Sequence, residues 1–126
     1  MSLSKHLADM QYQTGNNIAP NLVWVDGPYR MYVCQAEHWA VICVFYVTEQ
    51  DIEGLEKYEV EDVIISARIT FEAVNHINFF CDKDNMDFIE GGYCCYPDIP
   101  MMIKILEEFK NQVNKLPFVH EDEKYL

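Results

Sequence analysis

The stretch "WAVICVFYV", residues 39–47, constrains this chain more than any other. Nine apolar residues in succession, rich in β-branched and aromatic side chains, suit a strand. Successive strand side chains point to opposite sides, so both faces of this segment are apolar and each needs cover. It reads as the central strand of a sheet with something packed against each face.

The neighbouring segments supply the rest of that sheet. "LVWV", residues 22–25, and "YRMYVC", residues 29–34, read as strands joined by the turn "DGP". In the second strand Tyr29, Met31 and Val33 share one face, and Arg30, Tyr32 and Cys34 the other. "QAEH" provides the next turn. Further on, "IISARITFEA" alternates, with Ile65, Ala67, Ile69, Phe71 and Ala73 inward and Ser66, Arg68, Thr70 and Glu72 outward. "HINFFC" continues the β character after a bend near Asn75, and "MDFI" and "YCCY" read as short edge pieces.

Two helices are expected. Leu3, Leu7 and Met10 lie at helical spacing, which predicts a short helix over residues 4–12, ended by the turn-forming "TGNNIAPN". The stronger signal covers residues 98–116. Asp98 suits the cap and Pro100 the first turn, while Ile99, Met102, Ile103, Leu106, Phe109, Val113 and Leu116 form one stripe ended by Pro117. The expected fold is α+β: a largely antiparallel meander packed against the C-terminal helix, with the short N-terminal helix alongside. A chain of 126 residues fits a single domain over 1–126, with an irregular tail over about 117–126.

Charge narrows the partners. Twenty-one acids against nine bases give a formal charge of −12, which repels nucleic-acid phosphates and anionic membrane surfaces. The acids are clustered: "EQDIEGLEKYEVED", residues 49–62, carries seven with one lysine, and "DKDNMDFIE", residues 82–90, carries four with one lysine. Solvated loops account for such clusters, and so does an electronegative surface complementary to a basic partner. No apolar run approaches the ~20 residues of a membrane span, and the start lacks the pattern of a secretory signal. A cytoplasmic location follows as the expectation. Five cysteines, an odd number, four of them set in apolar or aromatic surroundings, suit core thiols of a reducing compartment better than a disulfide framework.

Motifs for chemistry are weak throughout. Cys94 and Cys95 are adjacent, so an extended segment points them apart, and they lack the spacing that presents two sulfurs to zinc. His76 and Cys81 complete a ligand set only if the chain folds back onto them. "DKDNMDFIEGGY" places Asp82, Asp84 and Asp87 as oxygen donors but has Asp87 where a calcium loop needs glycine and Tyr93 where it needs a bidentate acid. Cys34 and His38 flank a turn without a third orienting group. Ser2, Ser4 and Ser66 sit in no nucleophile elbow, Glu107 and Glu108 show no contrast of environment, and neither "EGG" nor "DGP" builds a phosphate cradle. No enzyme, cofactor or metal is therefore expected.

The expectation is a small acidic binding protein that blocks a basic site on a partner protein. Immunity-type and phage-type inhibitors of a nuclease, a toxin or a nucleic-acid-handling complex form the analogous class by size and charge alone. The candidate contact residues are Asp51, Glu53, Glu56, Glu59, Glu61 and Asp62, with Tyr58 as anchor, on a connection of about fourteen residues that exceeds the needs of a hairpin. The alternative is a homodimeric small-molecule- or metal-binding domain with a pocket between sheet and helix.

Overall fold

The computed structural model describes residues 2–15, 18–51, 53–54, 56–70, 78–79 and 97–117. Its elements are α1 (Leu3–Gln13), β1 (Asn21–Asp26), β2 (Tyr29–Gln35), β3 (Trp39–Glu49), β4 (Tyr58–Thr70), β5 (Asn78–Phe79) and α2 (Ile99–Asn114). The five strands form one antiparallel meander in the order β1-β2-β3-β4-β5. The expected α+β architecture is the observed one. The edge pieces "MDFI" and "YCCY", Phe71 to Ala73, His76, Cys81, Cys94, Cys95 and nearly all of the tail lie outside the described residues.

The doubly apolar strand β3 does organise two cores. Ala40, Ile42 and Val44 face a cluster built with Met31 and Val33 of β2, Ile65, Ala67 and Ile69 of β4, and Met102, Ile105, Phe109 and Val113 of α2. Val41, Cys43, Phe45 and Val47 face the other way, onto Leu3 and Met10 of α1. The N-terminal helix thus covers the face opposite α2 and does not lie alongside it. The reason is the second apolar face of β3, which no other described element covers.

Turn chemistry fixes the β1–β2 register. Asp26 stands opposite Tyr29, leaving Gly27 and Pro28 as a two-residue turn with Gly27 at φ 58°, where a side chain is disfavoured. The Val47 amide donates to the Pro28 carbonyl at 2.8 Å, holding that turn against β3.

Strand β4 departs from simple alternation. Opposite Val44 stands Ile65 but opposite Phe45 stands Val63, so Ile64 is an extra residue; Glu61 is a second, between Asp62 opposite Tyr46 and Val60 opposite Val47. Each bulge reverses the facing of what precedes it. Ile64 accordingly joins Ile65 in the α2 core, while Val60 and Val63 turn to the α1 face.

Helix α2 starts as its sequence predicts: Asp98 is the cap, accepting from the Met101 amide at 2.9 Å, with Pro100 in the first turn. Its buried stripe is rotated from the expected one. Met102, Ile105, Phe109, Val113 and, beyond the helix, Leu116 are buried, whereas Ile99 and Ile103 are 63% and 53% exposed. Ile105 therefore holds the inward position that the sequence pattern gave to Ile103. Truncating Ile105 to alanine is expected to cost about 2–5 kcal/mol and Ile103 to alanine no more than about 0.5 kcal/mol, read as shifts in the urea midpoint. Equal losses would contradict this facing.

Candidate functional site

The acidic segment 49–62 is not one long connection. Strand β3 runs to Glu49 and β4 begins at Tyr58 directly opposite it, so only residues 50–57 form a loop. The Gln50 amide donates to the Lys57 carbonyl at 2.6 Å, closing the hairpin. Pairing with a long β3 drew into the sheet residues whose charge alone had suggested a loop.

The seven candidate residues consequently divide. Asp51 and Glu53 are exposed in the loop. Glu56 reaches the start of α1, where its Oε1 accepts from the Ser4 amide at 2.8 Å and the Ser4 hydroxyl at 2.7 Å. Ser2 caps the same helix by accepting from the Lys5 amide at 3.3 Å. Two oxygens thus satisfy amides that a helix start leaves without intrahelical partners. Glu59 lies in β4, at an isolated bridge with Ser2. Glu61, at its bulge, accepts from the Thr48 hydroxyl at 2.8 Å and remains exposed. Asp62, half-buried, stands opposite Tyr46.

Tyr58 is held from two sides. The Arg30 guanidinium lies 4.4 Å from its ring centroid and the Lys57 ammonium 5.3 Å. Lys57 also pairs with Glu49 at 3.1 Å, an exposed contact of little energetic weight. The hydrogen bond from Arg30, aided by the charge of Lys57, holds the Tyr58 phenol below its ordinary pKa. At Arg30 burial disfavours the charge, and hydrogen bonding together with Coulombic attraction to Tyr32 and Tyr58 outweighs it, so its pKa is raised. Its Nε is buried without a hydrogen-bond partner among the described residues.

Pairing also creates a row invisible in the linear sequence. Asp26 faces Tyr29, Tyr29 faces Tyr46, and Tyr46 faces Asp62, crossing four strands. The two tyrosine rings meet edge-on, with centroids 5.2 Å apart. Alternation placed Tyr29 correctly, but only the register brings Asp26 and Asp62 to the ends of that row. Beside it, a cleft between β1 and α2 is lined by Trp24, Asp26, Lys104, Glu107, Glu108 and Asn111. Lys104 reaches Asp26 at 3.3 Å across it.

The described thiols are packing groups. Cys34 is fully buried, with its Sγ 2.8 Å from the Thr14 hydroxyl and donating to the Ile18 carbonyl at 3.0 Å. Burial pushes the Cys43 thiol up to about 11, opposed by a contact with the Ser66 hydroxyl. His38 is exposed beside Glu37, at 3.7 Å. No group of three or more potential metal ligands occurs among the described residues, and no described helix is long and apolar enough to cross a membrane. Comparison with protein-family models, curated proteins and solved structures finds no match.

Two outcomes follow. The bonds from Ser4 lower the pKa of Glu56 below its ordinary 4.5, so its support for α1 is present above about that pH and lost as pH falls through the lower folded-state value. A Glu56→Gln variant should therefore melt below wild type at neutral pH, the difference shrinking in acid; a constant difference would deny the charge a role. Iodoacetamide at pH 8 should leave Cys34 and Cys43 of the folded protein unmodified, and mass mapping of either adduct would contradict their burial.

Proposed function

We propose that this chain is a small acidic binding protein whose β3–β4 hairpin end masks a basic site on a partner protein, in the manner of an immunity-type or phage-type inhibitor. The observation that carries the reading is the charge at that end of the sheet. Asp51 and Glu53 are exposed in the loop and Glu61 on the adjoining strand, with Lys57 as the one base in segment 49–62. Like charges held close together on a paired hairpin attract a cationic surface at long range and repel an anionic one.

Each residue has a distinct part in this reading. Asp51, Glu53 and Glu61 face the partner, Glu59 and Asp62 extend the acidic surface along β4, and Tyr58 is an aromatic anchor steadied by Arg30. Glu56 contributes charge while its carboxylate secures α1 to the hairpin. A partner such as a nuclease or toxin domain presents the lysines and arginines that bind phosphate, and an acidic surface competes for them. The proposal needs no catalytic group, cofactor or metal, and a cytoplasmic partner is the one it favours.

The test is capture of basic proteins on immobilised chain at low salt, followed by salt elution. The combined variant Asp51→Asn, Glu53→Gln, Glu61→Gln should bind the captured partner at least about tenfold more weakly, with a flatter dependence on salt. Affinity and salt slope unchanged by that variant, in a protein with an unaltered melting temperature, would overturn the reading. A small molecule or metal carried on the chain in native mass spectrometry would instead support a ligand-binding homodimer.

A further inference from the structure

Three features meet along β1. It is the edge strand of the sheet among the described residues, with β2 on one side only, so half of its backbone donors and acceptors point away from every described strand. A bulge at Val23 turns Val23 and Trp24 together onto the α2 face, leaving Leu22 and Val25 on the other, where they are 47% and 51% exposed. On the α2 face the same edge borders the cleft in which Trp24 stands beside three carboxylates, Asp26, Glu107 and Glu108, and one ammonium, Lys104.

From this we infer that β1 is a docking edge for an extended segment of a partner protein, one that alternates cationic and apolar side chains. Such a segment adds to the β1 edge as a further strand, main chain to main chain, while its alternate side chains fall to opposite faces. Those on the α2 face reach Trp24 and the carboxylates of α2, a setting suited to arginine or lysine through ion pairing and cation–π contact. Those on the opposite face cover Leu22 and Val25 and are best apolar. The six residues of β1 set the length of the segment at about five or six residues.

Charge selects this occupant over a second copy of the chain. Two copies each carrying −12 repel, whereas a cationic segment is attracted. The inference rests on the proposed basic partner for the sign of the segment's charge, but it concerns a different strand from the acidic hairpin.

The probe is an end-blocked octapeptide alternating arginine and valine, followed by backbone amide exchange and by the Trp24 indole signal in NMR. Binding should slow exchange of the outward β1 amides about tenfold at ~90% occupancy and shift Trp24. Leu22→Lys with Val25→Lys, two exposed positions, and separately Glu107→Gln with Glu108→Gln, should each weaken binding severalfold. The hairpin variant Asp51→Asn, Glu53→Gln, Glu61→Gln should bind the peptide nearly as wild type does. Absence of binding overturns the inference, as does equal binding of the same peptide N-methylated at every residue, which keeps its side chains but has no amide donor left with which to add as a strand. If the hairpin variant loses the peptide as fully as the β1 variant, overall charge is being read and strand docking fails, while the basic-partner reading survives. Peptide docking at β1 with capture indifferent to the hairpin acids leaves this inference standing and removes the hairpin reading.

Discussion

The pairing of β3 with β2 and β4 is the interaction on which the rest of the molecule depends. β3 is hydrogen-bonded along both edges and apolar on both faces, so it cannot be stable until two strands and two helices surround it. Phe45 on one face and Ile42 on the other are each almost wholly removed from water, and each belongs to a core closed by a different helix. The helices are thus coupled through a single strand: disturbance of its pairing exposes apolar surface on both sides. This makes the sheet a rigid plate from which the turns and the hairpin project.

That plate explains how an acidic segment becomes a positioned surface. The length of β3 carries its pairing as far as Glu49, and this draws Tyr58, Glu59, Glu61 and Asp62 into β4. The two bulges then adjust their facing, so that Val60 and Val63 serve the α1 core and Ile64 the α2 core. Glu56 adds a second link by binding Ser4 at the start of α1, which joins the hairpin loop to the helix behind it. The opposite edge is organised by the same logic, since the bulge at Val23 determines that Trp24 looks toward α2 while Leu22 and Val25 look toward water.

Legibility in the sequence followed the strength of local pattern. The meander, the Asp98 cap and the two faces of β2 could be read because each rests on short-range rules: alternation, a glycine-first turn, a cap followed by proline. Errors arose where competing patterns overlap. Ile99 and Ile103 fit a helical stripe as well as Ile105 does, and only the placement of α2 on the sheet face decides that Ile105 is inward. Acidic residues at the start of β4 have poor strand propensity, yet the partner strand overrides it. The cleft of Trp24 with Glu107 and Glu108 joins residues some eighty positions apart, a distance at which one sequence holds no signal.

By itself the sequence determined the class of fold, the strong negative charge and the need for cover on both faces of one central strand. These are properties of composition and of periods of two and 3.6 residues, which act locally. Tertiary structure alone decided which helix covers which face, where the bulges fall, which acids stand on a strand and which cap a helix, and which residues meet across β1 and α2. Those matters depend on register and on the packing of side chains distant in the chain, where a shift of one residue moves every following side chain to the other face.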